Sequence, residues 1–84
     1  MVNVRLFGVI RVDTGVKELS VEVASVRELI PAVAAELTRL APERAPTERE
    51  LRACLVTVNG KAANYRTRLH DGDAVSLIPA AAGG

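Results

Sequence analysis

Ser25-Val26-Arg27-Glu28-Leu29-Ile30-Pro31-Ala32-Val33-Ala34-Ala35-Glu36-Leu37-Thr38-Arg39-Leu40 is the stretch on which the fold turns. Ser25 and Glu28 form an S-x-x-E pattern, in which a hydroxyl can satisfy an amide left free at a helix start. Behind it Val26, Leu29, Ile30, Val33, Leu37 and Leu40 recur at helical spacing, while Arg27, Glu36 and Arg39 take the other side. The pattern predicts one amphipathic helix over about residues 26–40. Pro31 is the anomaly, because it lies beyond the first turn. There it lacks an N–H and crowds the carbonyl four residues back, so a kink or an irregular start is expected. A single amphipathic helix cannot hide its stripe alone; it needs a sheet to lie on.

Working outward, both flanks supply strands. Before the helix, Val2, Val4 and Leu6 alternate, and Phe7, Val9, Ile10 and Val12 continue the apolar content on both faces. This predicts a strand over residues 2–12, buried on both sides for part of its length. Asp13-Thr14-Gly15 is a turn signal. Leu19, Val21 and Val23 mark a second strand over 17–23, which pairs with the first as a hairpin. After the helix, residues 41–52 form a polar connection with Pro42 and Pro46. Thr47 and Glu50 repeat the capping pattern and predict one helical turn near 48–52. Residues 54–58 read as a third strand, closed by the tight-turn pair Asn59-Gly60. A short strand over 61–63 follows. Residues 64–68 have no clear period, Leu69 anchors that loop, and Asp71-Gly72-Asp73 turns into a last strand over 74–78.

The expected order is therefore β-β-α-β-β-β. The fold class is α+β, a mixed sheet of four to five strands packed on one main helix. First and last strands can lie side by side in parallel at the sheet centre. This is the β-grasp, or ubiquitin-like, arrangement. The reading gives one domain over residues 1–79 and a C-terminal tail over 80–84.

Size and composition restrict what such a domain can do. Eighty-four residues make one small domain with little volume for a deep catalytic cleft. Phe7 and Tyr65 are the only aromatics, too few for a platform on which single-stranded nucleic acid could stack. The formal charge is +1, with both signs interspersed; a phosphate-backbone binder needs a net basic face. No nucleic-acid partner is expected. Cys54 is the only cysteine, so no internal disulfide can form. No apolar run approaches the length of a membrane helix, and the first residues lack the pattern of a signal peptide. The expected compartment is the cytoplasm, with no membrane partner.

The tail carries the functional reading. Pro79-Ala80-Ala81-Ala82-Gly83-Gly84 follows the last strand. Glycine has no Cβ, so the segment is thin enough to enter a narrow channel and present a bare carboxylate. Its six residues span roughly 20 Å when extended. Other residues with possible chemistry have plainer explanations. Cys54 could relay a persulfide, yet a cysteine opening an apolar strand serves as a small buried hydrophobe. His70 could be a general base, but it has no nucleophile beside it in sequence. Asp71 and Asp73 flank one glycine and suit turn formation better than a cation site. Arg66 and Arg68 could face an acidic partner, or simply be solvated.

Four segments, in order along nearly the whole chain, resemble the small prokaryotic sulfur carriers. They are Ser25-Val-Arg-Glu-Leu29, Val56-Thr-Val-Asn-Gly60, Leu69-His-Asp-Gly-Asp-Ala-Val75 and Ile78-Pro-Ala-Ala-Ala-Gly-Gly84. Length and the proline before the tail resemble most closely the small subunit of molybdopterin synthase. The sister thiazole-synthesis carriers usually lack a stretch as long as 41–52. Pro31 and a last strand poor in aromatics depart from the pattern.

The resemblance implies a carrier, not an enzyme. An adenylating, E1-like enzyme would use ATP to activate Gly84. A sulfur donor would then replace AMP and leave a C-terminal thiocarboxylate. A large synthase subunit would receive the tail, residues Pro79, Ala80, Ala81, Ala82 and Gly83 threading into it. No cofactor or metal would be bound by the chain itself. Delivery of sulfur to thiamin thiazole, cysteine or another metabolite, conjugation as a ubiquitin-like modifier, and a plain binding module remain as alternatives.

Overall fold

The computed structural model describes residues 1–80. In chain order the elements are β1 (Val2–Leu6), α1 (Gly8–Thr14), β2 (Glu18–Val21), α2 (Val26–Leu40), α3 (Glu48–Arg52), β3 (Leu55–Val58), β4 (Lys61–Ala62) and β5 (Ala74–Ile78). The five strands form one sheet in the order β2-β1-β5-β3-β4. β1 and β5 are parallel, with Val4 opposite Val75 and Leu6 opposite Leu77. The remaining pairs are antiparallel. First and last strands thus meet at the centre, and the expected β-grasp is the architecture observed.

α2 begins where its sequence pattern places it. The Ser25 hydroxyl accepts from the Glu28 amide at 3.3 Å. The box is half made: the Glu28 carboxylate accepts from the Ser25 hydroxyl at 3.3 Å rather than reaching the Ser25 amide. Val26, Leu29, Ile30, Val33 and Leu37 are buried and join the inward residues of the sheet in one core with Leu51 and Leu69. Leu40, the last position of the predicted stripe, is exposed instead. The helix runs without a break through Pro31, whose ring lies on the exposed side. Pro31 cannot donate to the Arg27 carbonyl, and both residues are on the exposed side of the helix. α3 carries the complete capping box of Thr47 and Glu50.

The segment after β1 departs from expectation. The predicted strand over 2–12 ends at Leu6, and residues Gly8–Thr14 form a short helix. Val9 and Val12 are 58% and 79% exposed, and only Ile10 of the helix reaches the core. Gly8 takes φ +59°, which redirects the chain out of the strand. Gly15, in the left-handed conformation, donates its N–H to the Arg11 carbonyl and ends the helix. β2 is correspondingly shorter than 17–23. The two strands pair antiparallel as expected, with Val2 opposite Val21, but through a helical connection and not a tight turn. At Asn59-Gly60 both φ values are positive, 51° and 84°, as a two-residue hairpin turn between β3 and β4 requires.

Candidate carrier terminus and its surroundings

β5 lies between β1 and β3, so the chain leaves the sheet from its middle. Its exit is fixed by β1. The Phe7 N–H donates to the Leu77 carbonyl at 3.2 Å. Pro79 is half-buried and packs over Gly8: a Cβ on Gly8 would stand 3.3 Å from the proline Cγ. Gly8 therefore does two things, turning the chain into α1 and leaving room for the proline. No motif in the sequence marks it; a lone glycine between Phe7 and Val9 becomes informative only when its neighbour in space is known. Ala80 is exposed. Ala81, Ala82, Gly83 and Gly84 lie outside the described residues.

The solvent face of the sheet beside the exit is aliphatic. Leu55 and Ile78 are register partners, so their side chains stand next to each other. Leu55 is 54% exposed, a bulky apolar side chain on an open sheet face. Further along the face are polar groups, Arg5 opposite Ser76 and Ser76 opposite Thr57.

The titratable candidates are not gathered into a catalytic group. Cys54 is 8% exposed and belongs to the core. Its thiol lies 3.6 Å from the Glu50 carbonyl. Burial, and after it the negative charge of Glu50, push that thiol above its ordinary value, so thiolate is disfavoured. The structural role expected for Cys54 is the one it has. His70 is exposed, with Nδ1 3.8 Å from an Asp73 carboxylate oxygen. Asp73 accepts from the His70 amide at 2.8 Å and from the Asn59 side chain at 3.0 Å. Asp71 pairs with the Met1 amino group. The two aspartates thus serve the turn and its neighbours. Among the described residues no three His, Cys, Asp or Glu side chains are placed to hold a metal. Arg66 and Arg68 come together with a residue the sequence did not join to them, Arg27, whose guanidinium lies 5.2 Å from the centroid of the Tyr65 ring. No helix of the described residues is long and apolar enough to cross a membrane.

A ubiquitin-like β-grasp whose central strand leads into an alanine and glycine terminus is the architecture of a small sulfur carrier. The model of the ThiS family matches residues 4–84, and the chain belongs to that family. Among solved structures, a chain of the Amycolatopsis orientalis BexX/CysO complex is 30% identical, with a TM-score of 0.69 and coverage of 100% of both chains. The complex of subunits 1 and 2 of molybdopterin-converting factor from Helicobacter pylori contains a chain 27% identical, at a TM-score of 0.64, covering 99% of this chain and 97% of that one. SAMP1 from Haloferax volcanii shares the fold at a TM-score of 0.71 and 24% identity, over 99% and 98% of the two chains. No curated protein sequence matches the chain at comparable stringency.

Proposed function

We propose that this protein carries sulfur on the carboxyl of Gly84 for molybdopterin biosynthesis in the cytoplasm, as a carrier and not as an enzyme. The observation that carries the proposal is the central, proline-pinned exit of β5 toward Gly83-Gly84 in a ThiS-family chain. A carboxylate is a poor electrophile. An adenylating partner joins the Gly84 carboxylate to the α-phosphate of ATP, releasing pyrophosphate. A sulfur nucleophile at the sulfide level then attacks the acyl carbon, and AMP leaves with the C–O bond electrons. The product is a thiocarboxylate, a soft nucleophile that a synthase subunit can receive through the tail. None of these steps asks for a catalytic side chain on the carrier. ATP belongs to the partner. Similarity to the H. pylori molybdopterin-converting factor complex supports the pterin assignment.

A second reading, delivery to thiamin thiazole, cysteine or another sulfur acceptor, draws support from the 30% identity to the BexX/CysO structure. The shared step is tested first. With its cognate adenylating enzyme, ATP and a sulfide source, the protein is expected to gain the mass of one sulfur in place of one oxygen, mapped to Gly84 and not to Cys54. Deleting Gly84 abolishes the gain while the fold persists. Equal gain by the deletion variant would refute the carrier reading. Transfer to a molybdopterin-converting subunit, compared with other acceptors, then separates the two pathways.

A further inference from the structure

The N-terminal end of α2 and the loop before Leu69 line an open groove of about 330 Å³. Three arginines line it: Arg27 from the first turn of the helix, Arg66 and Arg68 from the loop. None of the three makes an ion pair among the described residues. One acidic side chain shares the groove, Glu28, and its carboxylate is engaged with the Ser25 hydroxyl. The local balance is thus strongly basic in a chain whose net charge is only +1.

The backbone that carries these cations is held in place. The loop closes on itself: the Arg66 amide donates to Asn64 Oδ1 at 2.8 Å, and the Thr67 amide to the Asn64 carbonyl at 3.1 Å. It is then sewn to the helix start. The Val26 amide donates to the Thr67 carbonyl at 3.0 Å, and the Leu69 amide to the Ala24 carbonyl at 2.9 Å. Arg27 rests over the Tyr65 ring, a cation–π contact that limits its rotamers. The positive end of the α2 dipole adds to the same potential. A restrained guanidinium such as that of Arg27 loses less entropy on binding, and all three can take carboxylates in paired hydrogen bonds.

We infer that this groove docks an acidic segment of a protein partner and gives the carrier a second point of recognition, apart from its tail. Carboxylates of the segment lie against Arg27, Arg66 and Arg68. A nucleic acid fits less well. The cluster is compact and not a stripe along a strand path, one face of its single aromatic is taken by Arg27, and Glu28 repels a continuous polyanion. The inference rests on the carrier reading only in taking the partner to be a protein.

The test uses the isotope-labelled full chain in solution NMR. The probes are a short peptide alternating glutamate and leucine, its glutamine-for-glutamate counterpart, and oligothymidylate. The acidic peptide is expected to shift amides of residues 24–28 and 65–68 in a saturable way. The effect weakens between about 50 and about 300 mM salt as screening grows. Arg66→Glu with Arg68→Glu weakens it at least about tenfold by reversing two of the charges. Both positions are exposed, so unchanged spectral dispersion is expected for the variant. Arg66→Gln with Arg68→Gln serves if the reversed pair disturbs folding, and it too must lose affinity. Deleting Gly84 leaves peptide binding intact, which separates this result from the sulfur chemistry. Equal response to the glutamine peptide, shifts scattered over the surface, unimpaired binding by both variant pairs, no binding at all, or tighter oligothymidylate binding at the same amides would each overturn the inference.

Discussion

Asp73 joins three segments through one residue. Its carboxylate accepts from the His70 amide at 2.8 Å and from the Asn59 side chain at 3.0 Å, and its carbonyl accepts from the Asn3 amide at 3.0 Å. The His70 amide, then the Asn59 side chain, then the charge of His70 favour the ionised carboxylate and hold its pKa below the usual 3.8. The sign follows from linkage. A group whose folded value is depressed stabilises fully above its unfolded value and loses that contribution as pH falls through the folded value. Asp73→Ala should therefore lower the urea midpoint clearly at pH 6, and less as the pH drops below about 3.9, where the unfolded carboxyl is protonated ahead of the folded one. A gap between wild type and variant that is constant over that range would dismiss the electrostatic role. Gly8 makes a second residue-scale case. Gly8→Ala should cost about 1–2 kcal/mol from left-handed strain, and more from the approach to Pro79. Gly15→Ala, also at positive φ but with nothing within 4 Å, should carry the strain alone. Pro79→Ala in the Gly8→Ala background should recover the difference, as thermal or denaturant midpoints of these three variants and the wild type would reveal.

At the scale of elements, α2 is the piece on which the core depends. Leu37 is fully buried and lies late in the helix, opposite the cap that starts it. Leu37→Ala should cost about 2–5 kcal/mol, the usual range for a leucine removed from a closed core; denaturant unfolding that moved by less than about 1 kcal/mol would show that the helix is not so seated. The helix was legible in the sequence because its stripe is long and its cap is coded by Ser25. α3 was legible for the same reason, Thr47 and Glu50 being a box that closes locally. β3, β4 and β5 were readable from Asn59-Gly60 and Asp71-Gly72-Asp73, whose turn chemistry is local too. α1 was not. Val9, Ile10 and Val12 are β-branched and favour strands, no side chain caps the helix, and the deciding fact is that Gly8 bends away under Pro79, 71 residues later in the chain. The site divides in the same manner. The buried role of Cys54 could be read from residue type, whereas the meeting of Arg27 with Arg66 and Arg68 depends on how the loop is tied to α2.

For the whole molecule, the sheet order decides what a partner meets. Placing β5 between β1 and β3 sends the tail out of the middle of the sheet, with Leu55 beside Ile78 on the open face next to it. On the proposed carrier reading, an activating enzyme that receives the tail is expected to cover this face at the same time. Covering such apolar side chains removes their area from water and favours the complex. Leu55 is more than half exposed, so Leu55→Glu should change the stability of the isolated domain little, within about 0.5 kcal/mol. It should nevertheless weaken the complex with the cognate adenylating enzyme at least about tenfold, or about 1.4 kcal/mol, because a carboxylate would be desolvated without a partner. Deletion of Gly84 should show the converse, with docking retained in good part and sulfur acceptance lost. Calorimetric titration of the two variants, alongside mass measurement of the carried sulfur, distinguishes docking from chemistry. Undiminished affinity of Leu55→Glu would mean that the enzyme grips the tail without the face beside it.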